Sequence, residues 1–113
     1  MAEPCLFCRI VAKGIPAKIV AETDDCIAFR DVNPQAPVHI LVVPRAHVPS
    51  LNQVTDWTIV GKLAQVATDL ARREGIAEQG YRLVINTNAD AGQTVFHLHL
   101  HLLGGRKMGW PPG

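Results

Sequence analysis

Hydrophobic and polar positions follow two different patterns along the chain, and each pattern predicts a different kind of secondary structure. Apolar residues recur every three to four positions over 56–73, which is the period of a helix with one buried face. Thr55 precedes this stretch as a candidate N-cap, and Gly75 follows it as a helix-ending residue. A shorter helical pattern covers 5–13. The pattern therefore predicts two helices.

Short apolar runs separated by turn-forming residues predict the remaining elements as strands. The predicted strands cover 18–22, 26–30, 39–43, 81–86 and 95–103. Two helices and five strands in this order predict an α+β fold, in which a mainly antiparallel sheet packs on helices. We expect one domain over 1–113, because 113 residues are close to the usual size of a single hydrophobic core.

Composition and charge exclude several classes of protein. The chain is 48% hydrophobic and 19% charged, and its net charge of +1 is too small for non-specific binding of nucleic acid. Its apolar runs are shorter than the roughly 18–20 residues that span a membrane. Residues 1–4 lack the start of a secretory signal, and three cysteines argue against a disulfide framework. We therefore expect a cytoplasmic protein, with Cys26 in the core.

The most informative pattern is VFHLHLHLL over 95–103, in which histidine and apolar residues alternate. Alternate side chains of a strand share a face, about 6–7 Å apart at two-residue steps. His97, His99 and His101 therefore lie on one face of the predicted strand. The other face, directed to the core, carries Phe96, Leu98, Leu100 and Leu102.

Three interpretations of this histidine row are open. It is a half-exposed strand whose outward residues happen to be histidine, a metal site, or a catalytic centre. A flat strand presents metal ligands in a row, so a tetrahedral site would need further donors from elsewhere. A neutral imidazole is a good nucleophile near pH 7, and attack on phosphorus would give an intermediate with a bond from nitrogen to phosphorus. We favour the catalytic interpretation.

The segment 86–94 comes directly before the histidine row. Gly92 can adopt a positive φ, consecutive N–H groups after it can bind an anion, and Thr94 adds a hydroxyl. Taken alone, the segment is a polar hairpin loop. Next to three aligned histidines, it predicts a cradle for a phosphate.

The alternating histidines resemble the motif of the histidine triad superfamily, and in particular its Hint branch of nucleotide-binding proteins. Further matching segments are IPAKI at 15–19, PQAPVH at 34–39, GQTV at 92–95, GGR at 104–106 and WPPG at 110–113. The resemblance implies a homodimer whose two sheets join into ten strands. It also implies hydrolysis of purine nucleoside phosphoramidates and acyl-adenylates, with purine mononucleotides as bound partners.

The resemblance also assigns roles to individual residues. His99 falls on the nucleophile, within a catalytic set completed by His39, His97 and His101. The implied phosphate-binding residues are Asn86, Gly92, Gln93 and Thr94. Asp31 falls on the residue that binds the ribose hydroxyls, as suits a carboxylate with two acceptor oxygens. The implied apolar wall for the base consists of Leu6, Phe7, Ile10, Phe29 and Val32. Trp110 is implied to reach the partner subunit's active site.

Cys5 and Cys8 form a C-x-x-C pair. Some bacterial-type relatives bind structural zinc with two such cysteines and two histidines, and the matching histidines here are His47 and His97. A redox dithiol and two unpaired thiols are the alternatives. We expect structural zinc at this set. We expect no catalytic metal, because no acidic cluster accompanies the loop at 86–94.

Two rival functions stay open. A diadenosine polyphosphate hydrolase of a neighbouring branch would use the same nucleophile, although the GGR and WPPG segments favour the Hint branch. A nucleotide-binding adaptor with vestigial activity would depend on protein partners instead. The presence of all three triad histidines argues against the adaptor.

Overall fold

Five strands form one antiparallel sheet in the order β1-β2-β3-β5-β4 in the computed structural model, which describes residues 5–113. The strands are β1 Ile19–Glu22, β2 Cys26–Arg30, β3 Val38–Pro44, β4 Tyr81–Val84 and β5 Leu100–Gly104. Every neighbouring pair is antiparallel, so the predicted α+β fold is confirmed. The absence of a secretory signal was predicted from residues 1–4, which lie outside the described residues.

The helices are α1 Leu6–Val11, α2 Thr58–Arg73 and a single-turn α3 Asn88–Ala91, with a 3-10 turn at Leu51–Gln53. The predicted cap of the long helix at Thr55 is wrong, because α2 follows Trp57 and the carboxylate of Asp56 accepts the N–H of Thr58 instead. Within residues 5–113, no helix combines the length and the apolar character needed to cross a bilayer.

The two faces of the sheet pack against different helices. Side chains alternate along β2, so Cys26 and Ala28 face α2 while Ile27 and Phe29 face α1. The buried stripe of α2 consists of Leu63, Ala67, Leu70 and Ala71. On the opposite face, the short α1 contributes Phe7 and Ile10 to a second apolar cluster. The predicted burial of Cys26 is confirmed.

The predicted strand over 95–103 is wrong in its first half, because β5 begins only at Leu100. The register pairs Val42 with Leu100, so Pro44 would come opposite Leu98 if the ladder continued. Proline has no N–H to donate, and the ladder ends there. Phe96 was predicted to face the core, yet its side chain is 49% exposed.

Two smaller differences also lie near the histidines. Strand β4 ends at Val84, so Asn86 follows the strand instead of closing it. The predicted loop over 86–94 contains α3, and Gly92 ends that helix with a φ of +90°. A left-handed residue at a helix end favours glycine, which explains its position.

Replacement of Gly105 by alanine should destabilise the fold. Gly105 has a φ of +90°, and an added Cβ would come within 2.9 Å of the Cβ of Pro37. We expect Gly105→Ala to lower the free energy of unfolding by about 1–3 kcal/mol in urea titrations. Gly109→Ala is the matched control, since a Cβ there meets no described heavy atom within 4 Å. Equal losses in both variants would contradict this explanation.

Candidate active site

A cavity of about 370 Å³ lies between α1, the end of β2 and the histidine segment. Its apolar lining includes Leu6, Phe7, Ile10, Phe29 and Val32, and its polar lining includes Asp31, Thr94, His99 and His101. The helix α1 supplies three of the apolar residues from one side. The cavity therefore brings together residues that are far apart in the sequence and were predicted for one site.

His99 has one defined donor and one free acceptor. Its Nδ1 lies 2.7 Å from the carbonyl oxygen of His97, which can only accept, so Nδ1 carries the hydrogen of the neutral ring. The lone pair is therefore on Nε2. His99 is 8% exposed, and its ring packs perpendicular to the ring of Phe7 at 5.0 Å between centroids. This geometry presents an unprotonated nitrogen with a fixed ring orientation.

His39 and His101 form a directed chain of hydrogen bonds. The backbone N–H of Gln35 donates to Nδ1 of His39 at 3.0 Å, so the hydrogen of neutral His39 is on Nε2. That nitrogen donates to Nδ1 of His101 at 2.9 Å. The remaining hydrogen of His101 is then on its own Nε2. His101 therefore supplies a hydrogen-bond donor beside His99, whose ring centroid is 4.9 Å away.

Asp31 lies at the edge of this chain. Its Oδ2 is 3.5 Å from Nε2 of His39, and its Oδ1 accepts the backbone N–H of Asn33 at 2.8 Å. The ligand atoms of Asp31, His39 and His101 all lie within 4.8 Å of one another. Nε2 of His39 gives its one hydrogen to Nδ1 of His101, so these two residues share the hydrogen bond and Asp31 acts on them as a nearby negative charge.

Burial keeps the imidazoles of the site neutral. It lowers the pKa of His39 against the charge of Asp31, and it lowers the pKa of His99 against the hydrogen bond to His97 and the charge of Asp31. Burial, and then the neighbouring rings of His99 and His39, lowers the pKa of His101 to about 4. At pH 7 the imidazoles of His39, His99 and His101 are therefore neutral.

The low pKa of His101 predicts a loss of stability in acid. Between pH 6.5 and about 4, the unfolded chain binds a proton at this histidine that the folded chain does not bind. The contribution is therefore present in full above pH 6.5 and is lost as the pH falls towards 4. The free energy of unfolding of His101→Gln should depend less steeply on pH over this range than that of the wild type. Parallel curves would contradict the prediction.

The segment before the histidines is held largely by its own hydrogen bonds. The N–H groups of Gly92 and Gln93 donate to the carbonyls of Ala89 and Asn88. The side-chain amide of Gln93 donates to the carbonyls of Pro49 and Val95, and its oxygen accepts the N–H of Asn88. Gln93 thus shapes the loop, while Thr94 lines the cavity. Asn86 is half-buried between β4 and α3.

Cys5, Cys8, His47 and His97 form a second constellation, which we call the thiol–imidazole cluster. Its four ligand atoms converge: the distances from sulfur to Nδ1 are 3.2–3.5 Å, and the two Nδ1 atoms are 3.3 Å apart. Nε2 of His97 donates to the carbonyl of Pro44 at 2.8 Å, which leaves its Nδ1 lone pair facing the sulfurs.

The cluster's donor set and spacing fit a zinc ion. Bonds of about 2.3 Å to sulfur and about 2.0–2.1 Å to nitrogen in a tetrahedron would place sulfur and nitrogen about 3.5 Å apart and two nitrogens about 3.4 Å apart. The observed distances agree with both values. The structure thus directs the ring of His97 to the thiols, although the sequence placed it in one row with His99.

Three groups that act on the site were missed from the sequence. They are the N–H of Gln35, the carbonyl of Pro44 and the guanidinium of Arg106, whose Nε donates to the carbonyl of Gln35 at 3.0 Å. Two are backbone groups, which leave no trace in a residue pattern. Arg106 belongs to the GGR segment, so its position in a matching motif was the one available signal.

Trp110 lies on the C-terminal tail beyond β5 and is 83% exposed. The tail is attached to the sheet through Arg82, whose guanidinium donates to the carbonyl of Gly109 at 2.8 Å. A large apolar side chain left this exposed is available to another surface.

Fold and site together define a small α+β domain with a histidine-lined cavity, and comparison with known proteins identifies its family. The HIT domain matches residues 12–108, and the chain belongs to the HIT family. It is a HIT family hydrolase: it is 50% identical to a HIT family hydrolase from Legionella pneumophila Philadelphia 1, whose structure superimposes with a TM-score of 0.94 over 96% of this chain and 99% of that one. The predicted resemblance is confirmed.

Two curated relatives cover almost the whole chain. The purine nucleoside phosphoramidase of Escherichia coli K12 is 48% identical over 111 residues, which span 96% of this chain and 93% of that protein. An uncharacterised HIT-like protein of Synechocystis is 53% identical over 115 aligned positions, with full coverage of both chains. Both alignments extend over the cavity and most or all of the thiol–imidazole cluster.

Proposed function

We propose that this hydrolase is a purine nucleoside phosphoramidase that works through a nucleotidyl intermediate on His99. The observation that carries the proposal is the free Nε2 lone pair of His99 in a cavity with an apolar wall, a carboxylate and two further donors. The name of the E. coli relative supports the substrate class. Purine bases suit the wall of Phe7 and Ile10, while Asp31 can accept the two ribose hydroxyls.

In the first step, Nε2 of His99 attacks the α-phosphorus of the phosphoramidate. A bond forms between His99 and phosphorus, and the bond from phosphorus to the amine breaks. The leaving nitrogen takes the electron pair of that bond and a proton relayed from His101 or Thr94. The ring of His99 becomes positively charged, and the bond from its Nδ1–H to the carbonyl of His97 strengthens with that charge.

In the second step, water attacks the same phosphorus and the bond to His99 breaks. Its electron pair returns to Nε2, the water proton replaces the one given to the amine, and a mononucleotide is released. Because the intermediate contains a bond between phosphorus and nitrogen, exchange of a phosphoramidate into it is close to balanced in energy. Donors beside the phosphate, including Nε2–H of His101, stabilise its charge.

Trapping of the intermediate tests this proposal. The enzyme is mixed with adenosine 5′-phosphoramidate labelled in the nucleotide, quenched in denaturant at alkaline pH and digested with trypsin. Fragmentation of the peptide that spans 83–106 should place adenylate on His99. Label on another residue, or turnover without any covalent adduct, would contradict the mechanism.

Parallel assays separate the rival functions. Faster turnover of a diadenosine polyphosphate than of the phosphoramidate would favour the neighbouring hydrolase branch. Tight binding of AMP with no turnover of either compound would favour a nucleotide-binding adaptor. The phosphoramidase proposal requires the phosphoramidate to be the better substrate of the two.

We further propose that the thiol–imidazole cluster holds structural zinc, as its donor set and spacing suggest. Cys5, Cys8, His47 and His97 would fill all four tetrahedral positions, which is typical of a structural site. No water position would then remain for catalysis at this ion. Metal analysis of protein purified without chelators should find close to one zinc per chain, and its absence would remove the proposal.

We also propose a homodimer in which Trp110 approaches the partner subunit's active site. Its exposure and the open outer edge of β4 are consistent with burial against a second copy. Sedimentation should give twice the mass of the chain. Trp110→Ala should alter the rate for different leaving amines while leaving AMP affinity unchanged, and identical leaving-group profiles would contradict the role of Trp110.

A cytoplasmic location is the last part of the proposal. Cys5 and Cys8 are free thiols on α1 and its N-cap, and such a pair stays reduced in a reducing compartment. Fractionation of the source cells should recover the protein with cytoplasmic markers, and recovery from an oxidising compartment would contradict it.

A further inference from the structure

We propose that the thiol–imidazole cluster and the nucleotide cavity are energetically coupled through His97 and Phe7, so that a divalent metal ion and a purine mononucleotide each tighten the binding of the other. This inference rests on the proposed function, in which zinc binds the cluster and a purine nucleotide binds the cavity. It assigns to His97 and Phe7 a positioning role between two sites that the fold places side by side.

His97 belongs to both sites through different atoms. Its side chain faces the sulfurs of Cys5 and Cys8 at 3.3 and 3.4 Å, while its backbone carbonyl accepts the hydrogen of His99 Nδ1 at 2.7 Å. The ring is fully buried. A metal ion that holds the imidazole therefore also holds the carbonyl that selects the tautomer of His99.

The position of the His97 carbonyl depends on the imidazole contacts because the backbone around His97 has no strand to hold it. Residues 95–99 precede β5 and lie outside the hydrogen-bonded ladder. They are attached instead by bonds such as Leu98 N–H to the carbonyl of Val48 at 2.6 Å. A segment outside the ladder depends on a few single contacts, and those of His97 include the thiol–imidazole cluster and the carbonyl of Pro44.

Phe7 makes a second connection. Cys5 caps α1 and Cys8 lies on its first turn, so both thiols are attached to the helix that carries the wall of the cavity. The ring of Phe7 lies between the sites, with centroids 6.1 Å from His97 and 5.0 Å from His99. A helix of six residues is too short to hold itself in place. Its position, and that of the wall, therefore depends on the packing of Phe7 and Ile10 and on the thiol–imidazole cluster.

Two affinity measurements on the full-length chain test the coupling. Calorimetry gives the Kd of AMP for zinc-loaded and metal-depleted protein, and competition with a chelator gives the Kd of zinc with and without saturating AMP. We expect each ratio to be about tenfold, and linkage requires the two to be equal. Ratios within twofold of one, with both ligands bound, would overturn the inference while leaving the proposed function intact.

A pair of phenylalanine variants separates coupling from a general effect of folding. Phe7→Leu keeps all four metal ligands but removes the ring between the sites, so the ratio should fall to about threefold or less. Phe96→Leu is the matched control, because Phe96 is half-exposed and should keep the wild-type ratio. If Phe7→Leu also keeps the full ratio, general stabilisation explains the linkage and the inference is overturned.

A spectroscopic measurement tests the positioning role directly. In ¹⁵N spectra of the imidazoles, His99 should be almost entirely the Nδ1–H tautomer in zinc-loaded protein and a mixture of tautomers after metal removal. An unchanged tautomer would overturn the role assigned to the His97 carbonyl. Failure of AMP to bind zinc-loaded protein would instead reject the proposed function, and the coupling with it.

Discussion

His99→Ala should abolish turnover of adenosine 5′-phosphoramidate while leaving binding of AMP largely intact. The variant lacks a cavity nitrogen that has a lone pair and a fixed orientation, and removal of a nucleophile costs about 10⁴-fold or more in kcat. The apolar wall, Asp31 and His101 remain in place to bind the nucleotide. Steady-state kinetics and calorimetry with AMP give the two quantities.

The control for this experiment is His101→Gln, which removes a donor and keeps the nucleophile. It should reduce kcat by about 10²-fold, the range of a general acid or a charge-stabilising donor, and still form the covalent adduct on His99. Turnover by His99→Ala within tenfold of the wild type would reject the mechanism. Equal rates in both variants would show that attack is not made by His99.

Removal of the metal is expected to have the largest effect on stability. The thiol–imidazole cluster joins residues separated by up to 92 positions and connects α1 to the segment before β5. Binding of zinc to the folded state stabilises it by mass action, and a loss of about 3 kcal/mol would lower the Tm by about 10 °C or more. Thermal unfolding of the zinc-loaded protein with and without a chelator measures this change.

Two cysteine variants distinguish the metal site from a general effect of thiols. Cys8→Ser removes one ligand, so its Tm should be low and insensitive to the chelator. Cys26→Ala removes a buried thiol outside the cluster and should keep the full response to the chelator, whatever its own Tm. A chelator-sensitive Cys8→Ser variant would place the stabilising metal elsewhere.

Much of the fold follows from local patterns. The buried stripe of α2 appears in the sequence as a helical period, and β2 was predicted with its observed bounds of Cys26–Arg30. These elements keep their regular structure over their whole length, so periodicity is enough to assign their faces. The start of α2 and the end of β4 were each misplaced by two residues, and at the start of α2 the carboxylate of Asp56 accepts the N–H of Thr58, a bond of a single residue that periodicity does not show.

The candidate site, like the fold, was predicted in part from the sequence. The residues of the cavity and of the cluster could be named from motifs, since imidazoles, thiols and a glycine-bearing loop are visible as residue types. The resemblance also divided them into a metal-binding set and a nucleotide-binding set, but it placed His97 in both the metal-binding and the catalytic set. Alternation places side chains on a common face only within a strand, and β5 begins at Leu100, after His97 and His99.

The sequence by itself determined the antiparallel α+β architecture and the chemical groups available for function. The resemblance assigned His97 to both sites, and only the tertiary structure decided that its ring faces the thiols while His99 and His101 face the cavity. The reason is Pro44, 53 residues before His97, which cannot donate to the ladder and whose carbonyl accepts the Nε2 hydrogen of His97 instead. A contact between distant segments thus sets which nitrogen of His97 is directed to the thiols.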